Sequence, residues 1–137
     1  IQNTIISPYV IFLAVIFNTA IFDSSAYIIG SNFGKNKIAI NISPNKTYEG
    51  LVGGLIVSVL YSYSLCIFLN LYFIVIIFLF LGCFFALFGD LFISYYKRKS
   101  GIKDTGHFLP GHGGVLDRLD SHLIATPLIL LLFSIVL

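Results

Sequence analysis

Methionine is absent from this chain, even at position 1, and only 10% of its 137 residues are charged. A soluble domain carries about 25% charged residues, so a soluble enzyme or binding module is excluded and a membrane protein is expected. The missing start residue predicts a segment of a longer chain. The amino-terminus has neither a basic region nor a small-residue cleavage site, so no secretory leader is expected. There are only two cysteines, Cys66 and Cys83, and both lie in apolar runs without a CxxC spacing. That excludes a thiolate zinc site or redox pair and points to small packing residues. His107 and His112 lack the spacing of a zinc site.

What is present is apolar: hydrophobic residues fill 58% of the positions. With roughly 20 residues needed per crossing, about four transmembrane helices fit, and no separate soluble domain fits beside them. The expected fold is an all-α polytopic membrane protein, a single membrane-embedded region over residues 1–137. The spans are expected at about Pro8–Gly30, Tyr48–Leu69, Phe73–Tyr96 and Leu119–Leu137, with Asn70-Leu71-Tyr72 as a tight turn and Pro127 as a kink site. Strands are not expected, because the runs are continuous and do not alternate. All eight basic residues fall in two windows, one holding Lys35, Lys37 and Lys46, the other Lys97, Arg98, Lys99, Lys103 and Arg118. Two basic loops separated by an apolar hairpin place both on one cytoplasmic face.

The second window, Ser94–Asp120, is the most informative. Asp90 precedes it inside an apolar run, where an unpaired carboxylate facing lipid would be costly. Helical spacing puts Asp90, Ser94, Lys97 and Arg98 on one stripe, so Asp90 is either paired with Lys97 or Arg98 or part of a metal or substrate site. Asp117 and Asp120 lie one turn apart at the start of the last span, where capping competes with function, most of all for Asp120. Gly111, Gly113 and Gly114 clear side chains from the turn before them, so backbone N–H groups can approach an anion. With Lys103 and Arg118 nearby, this composes a site for a metal-bound polyphosphate. The acids suit Mg²⁺, with room for a second cation. His112 is a further candidate for phosphate contact, and His122 for a hydrogen bond near the membrane surface.

The first loop adds Asp23 with Tyr27 one turn later, and Lys46 in a constrained SPNKT turn, the better candidate there for a directed phosphate contact. Lys35 and Lys37 fit topology or headgroup contacts. Glu49 fits the start of the second span.

Ser94, Lys97-Arg98, Lys103-Asp104, Pro110–Gly114 and Asp117-Arg118 with Asp120, preceded by Gly89-Asp90-Leu91, resemble the signature of the phosphatidate cytidylyltransferase family. FDSSAYIIGSNFGK and ISPNKTYEGLVGG resemble its other loop. The similarity spans most of the chain and corresponds to the family's carboxy-terminal catalytic half. It implies that CTP and phosphatidate give CDP-diacylglycerol and pyrophosphate at a bacterial inner membrane, with Mg²⁺ required. Asp90 and Asp117 would be metal ligands, and Lys46, Arg98 and Lys103 would hold phosphates. Asp23 would belong to the nucleotide side, with Ser94, Lys97, His112, Gly113, Gly114, Arg118 and Asp120 completing the substrate contacts. Membrane lipid is the expected surrounding, nucleic acid is not an expected partner, and a homodimer is compatible with this reading. The chain departs from the pattern at Ile93, where the family usually has glutamate, and at Tyr96, which is usually aliphatic or Phe. The competing readings are a related CTP-dependent polyprenol kinase, disfavoured by the complete PGHGG and Asp-Arg-x-Asp pattern, and a transporter or ion-conducting protein, disfavoured because no ladder of polar residues crosses the apolar hairpin.

Overall fold

A computed structural model describes residues 7–101 and the helix 116–136; the side chains of 116–120 lie outside the description. Four helices and one short hairpin follow in the order α1 (Pro8–Phe33), β1 (Lys37–Ala39), β2 (Ser43–Thr47), α2 (Tyr48–Phe68), α3 (Ile74–Lys99) and α4 (Leu116–Val136). Among the described residues, α1, α2 and α3 are long and apolar enough to cross a membrane. In α4, which has 21 residues, the described side chains Ser121–Ile135 form an apolar helix. It carries Pro127 within the helix.

Local sequence explains the boundaries. Pro8 sits in the first turn of α1, where its missing N–H costs nothing. Thr47 caps α2, its hydroxyl accepting from the Gly50 N–H at 3.1 Å. Asn70 turns the chain between α2 and α3 with φ 52°, a left-handed conformation that asparagine tolerates. After α3, Gly101 takes φ 73°, as a glycine past a helix end commonly does.

The apolar runs are helical as expected, and a short hairpin forms in the polar loop between the first two. Lys37 pairs with Thr47 and Ala39 with Ser43, antiparallel. Ile38, Ile40 and Ile42 alternate with small or polar residues, a period-two pattern within the polar loop. Pro44 is tolerated because a two-stranded ribbon has only edge strands.

In the bundle, α1 packs chiefly on α2 and α3 on α4. The α1–α2 contact is close because α2 turns a small-residue seam inward, with Gly50, Gly54, Ser58, Ser62 and Cys66 buried at every fourth position. A methyl at Gly54 would come within 2.9 Å of the Ala26 Cβ and 3.0 Å of the Phe22 carbonyl oxygen. One apolar core gathers Val15, Cys66, Val75, Phe78, Leu79, Ile129 and Phe133. A second, nearer the hairpin, joins Phe22, Cys83, Ala86 and Ala125. Both cysteines are free and buried, as packing residues should be. The outer faces, with Phe17, Leu60, Phe88 and Ile135 exposed, suit a hydrocarbon solvent.

A polar cluster between α1, α2 and α3 has no counterpart in the expectations. Asn18, 1% exposed, donates from Nδ2 to the Leu79 carbonyl at 3.0 Å, and its Oδ1 accepts from Ser58 at 2.9 Å and Ser62 at 3.3 Å. The amide is thus satisfied by two other helices. In a membrane interior, where water supplies no partners, that is the condition for burying it.

Candidate functional site

The hairpin end of the bundle gathers polar and charged side chains. Asp23 and Tyr27 come from α1, Asn45 and Lys46 from β2, Asp90 from α3 and Ser121 from α4, and all line one cavity of about 300 Å³. Helical spacing places Asp23 and Tyr27 on one face of α1, and both reach the cavity as that spacing requires. β2 delivers Lys46 because the Thr47 cap fixes the junction between strand and α2.

Asp90 is held from two sides. The Lys46 ammonium forms an ion pair with its Oδ2, and the Ser94 hydroxyl donates to its Oδ1 at 3.3 Å. The structure therefore satisfies the expectation of a shared Asp90–Ser94 face and corrects the partner: the cation on Asp90 is Lys46, from the first basic loop, and not Lys97 or Arg98. The physical reason is tertiary: β2 packs against α1, and from there the Lys46 side chain reaches Asp90 on α3, a cation that spacing along one helix cannot reveal. Both partners are about four-fifths covered, at 20% and 22% side-chain exposure, so the pair is shielded from bulk water. Asp23 and Ser121 face each other across this cavity, and Asp23 lies within electrostatic reach of Lys46, Asp90 and His122.

A second cavity, about 440 Å³, lies on the other side of the hairpin and is lined by Pro44, Ser94, Lys97 and Arg98; Ser43 and Asn45 line both. Arg98 donates from Nε to the Ile42 carbonyl at 3.4 Å, tying the end of α3 to the hairpin. The hairpin thus separates a compartment with two carboxylates and one ammonium from one with two cationic side chains. Glu49 accepts from the backbone N–H of Asn36 at 3.2 Å and from its side-chain amide at 2.8 Å, so it anchors the hairpin as well as starting α2. An apolar hollow between Phe88, Leu91, Phe92 and Ile124 opens beside α3 and α4.

The backbone of Asp117, Arg118 and Asp120 is helical, at the start of α4, but their side chains are outside the description. Lys103, His107, His112, Gly113 and Gly114 lie outside the described residues. His122 Nδ1 is buried with no hydrogen-bond partner among the described residues. The residues missed by sequence reasoning are Ser121, flanked by the more conspicuous Asp120 and His122, and Asn45, read only as part of a turn. The proximity of Ser121 to Asp23 depends on α4 packing beside α1, which no local pattern encodes.

The donors around the first cavity are oxygens: two carboxylates with the hydroxyls of Ser94 and Ser121 close by. Such a set suits a hard divalent cation. Among the described residues no three His, Cys, Asp or Glu side chains converge.

Comparison with known proteins places this arrangement. The sequence profile described as the cytidylyltransferase family matches residues 1–136. A Staphylococcus saprophyticus protein named phosphatidate cytidylyltransferase is 48% identical over 111 residues, covering 78% of this chain and 42% of that protein. Proteins of the same name from Staphylococcus haemolyticus and Staphylococcus aureus are 45% and 43% identical over the same shares. The chain therefore spans about two-fifths of the length of these relatives. A solved structure, described as an intramembrane enzyme for archaeal membrane lipid biosynthesis, shares the fold with a TM-score of 0.68 at 20% identity, over 88% of this chain and 76% of that one. A profile matched along nearly the whole sequence, on a helical membrane fold, means that the chain belongs to the cytidylyltransferase family.

Proposed function

We propose that this chain carries the catalytic site for cytidylyl transfer from CTP to phosphatidate, giving CDP-diacylglycerol and pyrophosphate on the cytoplasmic side of a bacterial membrane. The carrying observation is the convergence of Asp23, Asp90 and Lys46 from three elements on one cavity, at the end of the bundle where the two basic windows meet. The names of the staphylococcal relatives support the reaction. The apolar hollow on α3 and α4, one turn from Ser121, supports a lipid acceptor.

The chemistry asks for little acid–base work. A lipid phosphate is anionic at neutral pH and can attack the α-phosphorus directly; its oxygen forms the new P–O bond while the bond to the β-phosphate breaks and pyrophosphate leaves. Positioning the two phosphates in line and neutralising their charge are the main tasks. Asp90 and Asp117 would hold Mg²⁺, with Asp23 beside them, and the ion would supply charge neutralisation on the phosphates. Lys46, Arg98 and Lys103 would bind phosphate oxygens. Arg98 and Lys97, which line one cavity with Ser94, suit the departing pyrophosphate.

The test is incorporation of labelled CTP into chloroform-soluble lipid by membranes carrying the protein, with and without phosphatidate. Label entering CDP-diacylglycerol only when CTP, phosphatidate and Mg²⁺ are all present is the expected result. Phosphorylation of a polyprenol instead would overturn the assignment.

A further inference from the structure

The two oxygens of Asp90 are both engaged, one by the Lys46 ammonium and the other by Ser94. A cation that binds Asp90 through Oδ2 meets Lys46 first. We propose that Lys46 is the resident counter-ion of Asp90, displaced by the incoming divalent cation and thereby released to the phosphate that the cation accompanies. The inference rests on the metal-dependent reading above and adds to it an order of events and a second role for one residue.

Charge and geometry carry it. Among the described lining residues of the first cavity, Asp23 and Asp90 outweigh Lys46, so the compartment is net negative before a metal arrives and attracts a cation. A divalent ion adds two positive charges that offset these carboxylates and that of the proposed ligand Asp117, so that the released ammonium meets a phosphate in place of Asp90. No group changes protonation. The ammonium can make this move because it is a point charge on a flexible four-carbon stem. Its backbone need not follow: Thr47 caps α2, Arg98 holds the Ile42 carbonyl and Glu49 holds Asn36, so the hairpin stays anchored when the ion pair opens. Before the metal binds, Lys46 also spares Asp90 the cost of standing unpaired in a largely covered site.

Mn²⁺ affinity of the protein in nanodiscs, read from the electron paramagnetic resonance of the free ion without nucleotide, tests the exchange. Lys46→Met should bind Mn²⁺ about tenfold more tightly than the parent, because the ion no longer competes with an ammonium. Lys46→Gln is read in parallel, so that a folding loss in one variant leaves the test intact. Lys46→Arg should stay near the parent, and so should Lys35→Met, which removes an equal charge from an exposed position on the same loop. CTP binding should move the opposite way, weakening in Lys46→Met even as Mn²⁺ tightens. Unchanged Mn²⁺ affinity in both neutral variants, or an equal gain in Lys35→Met, overturns the exchange. Mn²⁺ binding that Asp90→Asn fails to weaken overturns the metal reading itself, whereas binding that needs Asp90 but ignores Lys46 overturns the exchange alone.

Discussion

Asp90 joins a lone carboxylate in an apolar helix to a cation from a distant loop, and substitution there separates charge from shape. Asp90→Asn keeps the volume and the contact with Ser94 but removes the attraction for a metal. Turnover should fall by at least about a hundredfold, as for loss of a group that stabilises charge in a transition state. Insertion should persist, checked by membrane fractionation beside the lipid assay. Asp117→Asn should behave alike, since Asp117 is proposed as the other metal ligand. Ile93, half-buried on α3 three residues after Asp90, is the counterpart case. Ile93→Glu adds a carboxylate near the same helical face, and the Mg²⁺ concentration for half-maximal activity should drop. A folded variant with unchanged metal dependence would mean that the departure from the family pattern is neutral.

At the scale of elements, the α1–α2 seam sets the distance between Asp23 and the hairpin that bears Lys46. Gly54→Val would push a branched side chain against Ala26 and the Phe22 carbonyl, and should cost about 1–3 kcal/mol as overpacking does. A lowered midpoint in detergent thermal unfolding checks it. The helices themselves were legible in the sequence to within a few residues, because long apolar runs bounded by Pro8, Thr47 and the Asn70 turn leave little choice. The hairpin was not, because its three alternating isoleucines are outnumbered by Gly, Asn, Ser and Lys, which read as loop. The site was half legible: Asp90 and Lys46 were each conspicuous as polar residues in special places. Their pairing was not, since it depends on where the packing of β2 against α1 leaves the Lys46 side chain, a tertiary fact with no local signature. Asn18 was visible only as an interruption of an apolar run, and its partners lie on two other helices.

For the molecule as a whole, buried hydroxyls such as Thr19 bond within their own helix, whereas the amide and the carboxylate of α1 look to other helices. Asn18 on α1 needs Ser58 and Ser62 on α2 and a carbonyl on α3, and Asp23 shares its cavity with Ser121 on α4. During synthesis α1 enters the bilayer before any of these partners exist. Its amide and carboxylate then face lipid or remain beside the insertion machinery until later helices arrive. The same demand turns incomplete chains into recognisable waste. A chain stopped after α3 leaves Asp23 without Ser121, and membrane proteases that sense exposed polarity within a helix should clear it faster than the complete protein in a pulse-chase measurement. Replacing Asp23 by leucine in that truncated chain should lengthen its half-life. The carboxylate proposed to serve nucleotide chemistry in the finished enzyme would thus act, earlier in the life of the chain, as a signal that assembly is not yet complete.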